Sequence, residues 1–147
     1  MNRLARCFGA LGAVCVLLAG CGSGKTGPEG VTVTGTIVKD GKPLDVPNRE
    51  AGLGNLVVSL VPLGPSPKAA EHALAGKDGA FKILGPGRGI PPGKYRLAVQ
   101  QQDRGPGSDM LKGRFSEKSS PVEVEIPADR LGRTHDLGPI DLGKFGK

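Results

Sequence analysis

The sequence predicts an all-β chain: a seven-stranded antiparallel β-sandwich that follows a cleaved export signal and a flexible tether. Three observations carry this expectation. Val31, Val33 and Ile37 alternate with Thr32, Thr34 and Thr36, and a period of two returns at Tyr95, Leu97 and Val99 and at Val122, Val124 and Ile126. Such alternation, with β-branched residues, marks strands buried on one face. Asp40-Gly41 and Asp78-Gly79 are turn dipeptides that accept positive φ at low cost. No stretch shows helical periodicity. Gly (25) and Pro (13) are abundant enough to favour disorder on composition alone, but the alternation between them places strands in the middle of the chain.

Residues 1–20 have the features of an export signal. Arg3 and Arg6 precede an apolar run from Phe8 to Ala19. That run is shorter than the roughly 20 residues a membrane-crossing helix needs, and it fits the apolar region of a signal peptide. Residues 21–30, rich in Gly, form the expected tether, and residues 31–147 the sandwich domain. Strands are expected at 31–38, 56–62, 70–76, 80–84, 94–101, 121–126 and 134–142. Pro62 belongs at a strand end or edge, because it cannot donate to a ladder. The apolar phase of the last strand shifts across Gly138-Pro139, which predicts a bulge. Two connections, 44–55 and 102–119, exceed a tight hairpin, and loops of this length are commonly functional or mobile.

Charge and composition exclude several classes. The chain carries +6, part of it on Arg3 and Arg6, which leave with the signal. The remaining Lys and Arg are scattered among acids, and aromatic residues make up 3% of the chain, so neither a basic stripe nor a stacking platform for nucleic acid is present. Cys7, Cys15 and Cys21 all lie at or before the expected cut, so the exported domain holds no disulfide and depends on burial and sheet pairing. Ala19 to Thr26 fits a relaxed phosphate-binding-loop pattern, but the cut falls inside it and Gly27-Pro28-Glu29-Gly30 cannot open a helix. His72 and His135 each sit beside an acid near a strand start and are expected to be solvent-exposed polar residues. No G-x-S-x-G elbow and no calcium-loop spacing occurs. No metal, cofactor or catalytic residue is therefore assigned. Tyr95 and Phe81 are expected in the core; Phe115 and Phe145 are the rings open to exposure, too few to name a sugar site.

Leu18-Ala19-Gly20-Cys21 resembles the bacterial lipobox. The resemblance implies cleavage between Gly20 and Cys21, a diacylglycerol on the Cys21 thiol, and acylation (palmitate) of the new amine. Gly22, where Asp would favour inner-membrane retention, implies the outer membrane or cell surface. Further along, Val31-Thr-Val-Thr-Gly-Thr-Ile-Val-Lys-Asp-Gly-Lys-Pro-Leu44, Gly76-Lys-Asp-Gly-Ala-Phe-Lys-Ile83 and Ile90-Pro-Pro-Gly-Lys-Tyr-Arg-Leu-Ala-Val99 resemble the carboxypeptidase-regulatory-like, transthyretin-like (prealbumin-like) domains of small bacterial lipoproteins. Phe115 stands where similar proteins favour Tyr, and the 44–55 connection is longer than theirs. Related adhesin domains crosslink a Lys to an Asn on the last strand; Asn48 and Asn55 both lie in that connection instead.

The expected function is a membrane-anchored, extracytoplasmic lipoprotein that displays a non-catalytic sandwich. It would meet an envelope protein or polysaccharide, and no nucleic acid. The alternative is a carbohydrate- or peptide-binding module with the 102–119 loop as its lip. A transthyretin-like hydrolase is the third reading; such enzymes use clustered His and Arg and a C-terminal Tyr-Arg-Gly-Ser, whereas this chain ends Asp-Leu-Gly-Lys-Phe-Gly-Lys147.

Overall fold

Alternating Thr and Val residues form the first strand, β1 (Thr32–Lys39), whose inward positions Val33 and Ile37 are fully buried. The computed structural model describes residues 29–64, 69–87 and 89–145. The expected cleavage and lipidation positions, Gly20 and Cys21, lie outside them. At its end β1 turns through Asp40 (φ 52°) and Gly41 (φ 75°). Two successive positive φ values make the tight turn that matches strand twist. The turn leads into β2 (Lys42–Pro43), which pairs back onto β1.

The remaining strands are β3 (Asn55–Pro62), β4 (Glu71–Leu74), β5 (Ala80–Ile83), β6 (Gly93–Gln102), β7 (Glu123–Ile126) and β8 (Thr134–Asp141). Single-turn 3-10 segments occupy Ala128–Arg130 and Leu142–Phe145. The strands form two four-stranded sheets. In one, β1 pairs along one edge with β8 and along the other with β5 and then β2; the other sheet runs β4-β3-β6-β7. Val33, Ile37, Phe81, Ile83 and Ile140 of the first sheet share one buried cluster with Leu56, Val58, Leu60, Tyr95, Leu97, Val99 and Ile126 of the second. Each fully buried aliphatic side chain contributes about 2 kcal/mol, so this cluster dominates stability over the exposed ion pairs, which are worth about 0–1 kcal/mol.

Every expected strand is present within a few residues, with two corrections. Among the described residues there are eight strands rather than seven, because Lys42-Pro43 pairs as β2; two residues are too few to show a period. The sheets are also not wholly antiparallel, since β8 runs parallel to β1 from Thr32↔Thr134 to Val38↔Asp141. The cause is the path of the chain: β7 ends beside the start of β6, the Ala128–Arg130 turn follows, and β8 then begins where β1 begins. Alternation reports which face a side chain takes and is silent on strand direction.

The bulge appears where it was expected. Thr34 faces Asp136 and Thr36 faces Pro139, so Leu137 and Gly138 (φ 68°) together oppose Gly35. Gly35 is required by packing. A Cβ there would stand 2.8 Å from the ring of Phe81, its partner across the ladder. Pro62 closes β3, and Tyr95 and Phe81 are buried, as expected.

Candidate functional site

The chain enters the sandwich at one end. Val31 and Ile90 exchange backbone hydrogen bonds at 2.8 Å, and the Gly132 amide donates to the Gly30 carbonyl at 3.0 Å. At about 3.3 Å per residue, eight-residue β1 carries the chain about 23 Å to the opposite end. The β1–β2 turn, the 44–54 connection, the 103–115 part of the next long connection and the Leu142–Phe145 turn gather at this far end.

Side-chain acceptors order the 103–122 connection, and a shared backbone carbonyl orders the 44–54 connection. The Asp109 carboxylate accepts the amides of Gln101 (3.1 Å), Leu111 (3.0 Å) and Gly113 (2.8 Å). Ser108 Oγ accepts the amides of Asp103 and Arg104 and donates to the Gly105 carbonyl. Asn48 (φ 59°) lends its carbonyl to the amides of Ala51, Leu53 and Gly54, and its side-chain amide donates to the Asp103 carbonyl. Past β7, the edge of β6 is completed by this loop: the amides of Leu97 and Val99 donate to the carbonyls of Val122 and Phe115. Of the two rings the sequence left open to exposure, Phe115 is buried at 2% exposure, whereas Phe145 is 39% exposed. A lone ring in a long loop carries no period, so its burial had no signal in the sequence.

Two hollows open at this end. One, of about 490 Å³, lies between residues 43–50 and Lys77, whose ammonium pairs with Glu50 across it. That contact draws the Glu50 carboxyl below its ordinary range. The other, of about 450 Å³, is bounded by Lys39, Asp40, residues 110–115 and Leu142-Gly143. Its acidic neighbour Asp141 is already engaged: its oxygens accept the amides of Asp40 (2.8 Å), Gly41 (3.1 Å) and Gly143 (3.0 Å). Burial alone would push the Asp141 carboxyl up, but these amides, with Lys144 nearby, outweigh it and hold it below the usual carboxylate range. Among the described residues, the three non-glycine positions with positive φ, Asp40, Asn48 and Lys112, border the two hollows.

The histidines do not meet. His72 lies on β4 beside β5, and His135 on β8 along the opposite edge of β1. His72 is exposed, as expected, and His135 is half-buried. Sequence reasoning missed the partner of His72. Ser59, directly opposed across the β3–β4 ladder, places Oγ 2.7 Å from His72 Nδ1, and Glu117 lies 3.9 Å from the same nitrogen. A serine–histidine–acid relay needs the hydroxyl and the acid on opposite ring nitrogens. Both on Nδ1 make a cross-strand polar pair instead. Arg96 Nη1 reaches the carbonyls of Glu117 and Lys118, each at 3.3 Å, and so pins the loop to the sheet.

Fold and site together define an all-β sandwich whose hollows are built from loops at one end. No family model and no curated protein matches the chain. Among solved structures it is similar to a 9R-lipoxygenase from Cyanothece PCC8801 at 14% identity and a TM-score of 0.36, over 77% of this chain and 16% of the lipoxygenase chain.

Proposed function

We propose that the protein is a lipid-anchored, non-catalytic display module, held at an extracytoplasmic membrane surface through Cys21 and presenting the far end of a transthyretin-like sandwich. One observation supports this most. The described chain begins at the end opposite the ordered loops and both hollows. An anchor ahead of Gly30 would thus leave the loop end facing away from the bilayer. Ten residues from Cys21 to Gly30 reach at most about 35 Å, enough to clear the headgroups. Each buried CH₂ of an acyl chain contributes about 0.8 kcal/mol, so two or more chains hold stably. The outer membrane or cell surface is the proposed location, from Gly22. The test is Cys21→Ser with fractionation of the envelope: the variant moves to the soluble fraction, whereas unchanged membrane association contradicts the anchor.

The second reading, a ligand-binding module with the 102–119 loop as its lip, is favoured by the 450 Å³ hollow, to which that loop supplies Met110, Leu111, Lys112, Arg114 and Phe115. Phe115 belongs to the core, so cutting the loop out would unfold the domain. Point substitutions at Lys112 test the reading without that cost.

A further inference from the structure

We propose that the free edge of β4 binds an extended polypeptide segment by strand addition, so that the partner's backbone becomes the next strand of the β4-β3-β6-β7 sheet. This rests on the display reading and deepens it by naming the class of partner. Hydrogen-bond direction along the strand carries it. The Ala75 amide donates to the Leu56 carbonyl at 2.8 Å, and the register sets Ala73 against Val58 and Glu71 against Leu60. In an antiparallel pair, successive residues turn their backbone groups alternately toward the partner and away from it. Glu71 and Ala73 therefore serve β3, and His72 and Leu74 turn their N–H and C=O groups outward. β5 packs near β4 without pairing to it, and these outward groups have no partner among the described residues. A donor and an acceptor repeated at every second residue are complemented by the edge of another strand.

The other edges are guarded by their own residues. Across the same sheet, the Leu97 amide donates to the Val122 carbonyl, so Val124 and Ile126 serve β6 while Glu123 and Glu125 face outward. Those exposed acids, with Pro121 and Pro127 at either end, guard the β7 edge. On β8, Pro139 opposes Thr36 just past the bulge and offers the edge no N–H. On β5, the Ala80 amide donates to the Asp78 carboxylate and the Ala80 carbonyl accepts the Gly76 amide, which leaves charged Lys82 facing outward.

β4 has neither a proline nor a bulge, and its acid, Glu71, occupies a position that serves β3. The side chains at the open edge fit a partner strand. Leu74, 65% exposed, is the most exposed large hydrophobic side chain among the described residues, and it lies across from half-buried Val57 on the outer face of the sheet. An apolar residue of the incoming strand, set opposite Leu74, would cover it as cross-strand pairs do within a sheet. Backbone pairing supplies the affinity and the contact with Leu74 the selectivity.

Amide-resolved NMR of the full-length chain tests this with two probes: acetyl-Thr-Val-Thr-Val-Thr-amide and its fully N-methylated form, which keeps the side chains and loses every donor. Without a probe, the amides of His72 and Leu74 exchange at least about tenfold faster than those of Glu71 and Ala73, because only the latter are bonded within the sheet. Near saturation the first peptide slows exchange at His72 and Leu74 about tenfold; the N-methylated form leaves both unchanged. Leu74→Pro removes one outward donor at a position where a sheet tolerates proline, and it weakens peptide binding about tenfold. If that variant loses its folded spectrum, Leu74→Lys, which guards the edge with a charge on an exposed side chain, carries the test with a loss of about threefold. Four results overturn the proposal: slow exchange at His72 and Leu74 in the free chain, equal binding of the N-methylated form, shifts confined to β5, β7 or β8, or no binding. Protection that rises with protein concentration alone assigns the edge to a second copy of this chain and overturns it too. None of these results alters the membrane fractionation of Cys21→Ser, so the anchor and the strand site fail separately.

Discussion

Where the chain enters the sandwich, backbone meets backbone; at the opposite end, carboxylates and hydroxyls hold long loops in place. At the entering end a Cβ on Gly89 (φ 112°) would stand 2.6 Å from the Gly30 carbonyl carbon, and one on Gly85 (φ 67°) would stand 2.6 Å from that of Gly89. Glycine lets these segments touch and pair directly through Val31 and Ile90. The far end has close glycine contacts too, of Gly54 with the Pro47 carbonyl and of Gly79 with the Ile37 carbonyl, and adds side-chain braces to them. Backbone carbonyls such as that of Asn48 take some of the loop amides, and the side chains of Asp109, Asp141 and Ser108 accept others. Two hollows lie among the braced loops of the far end. In the proposed function, the first end takes the anchor and the second meets a partner.

The comparison breaks first if the far loop merely lies on the surface. Phe115→Ala should cost about 4 kcal/mol, as for a buried aromatic, read from the denaturant midpoint; a loss under about 1 kcal/mol would place the loop outside the cooperative unit. At the other end, Gly89→Ala should cost about 3 kcal/mol, from a backbone clash added to an unfavourable φ. A neutral result there would mean that the glycine contacts are not needed for closure. Asp109→Ala should cost about 2 kcal/mol by leaving three amides without their acceptor. Hydrogen exchange should then accelerate at Gln101, Leu111 and Gly113 while Val31 and Ile90 keep their protection. Uniform acceleration would show that the two ends are not independently braced.

The smallest effect concerns pH. The Asp141 carboxyl is held below its usual range when folded, so its stabilising contribution is complete above the unfolded value, about 3.9, and is lost as pH falls through the lower folded value. Asp141→Asn should flatten that acid limb, with faster exchange confined to Asp40, Gly41 and Gly143. An unchanged acid limb would show that the brace is not electrostatic.

Much of this fold was legible because burial on one face leaves a period of two. Thr32–Lys39 and Gly93–Gln102 show it plainly, and Pro62 and Gly138-Pro139 mark a strand end and a bulge through their own backbone chemistry. The two-residue β2 and the parallel course of β8 were not legible, since neither follows from alternation. The candidate site was legible only as a long loop of mixed charge. Its hollow joins Lys39, Lys112 and Leu142, residues brought together by three separate segments. The Ser59–His72 pair depended likewise on the β3–β4 register. Asp109 with Gly113 four residues on was the one local hint, because an aspartate bonding to following amides often braces a turn.

Intact-mass spectrometry of the protein purified from native envelope tests the central claim most directly. The account predicts a chain that starts at Cys21, lacks residues 1–20 and carries a diacylglycerol with a further acyl group. A chain that starts at Met1, or one without lipid at Cys21, would contradict it.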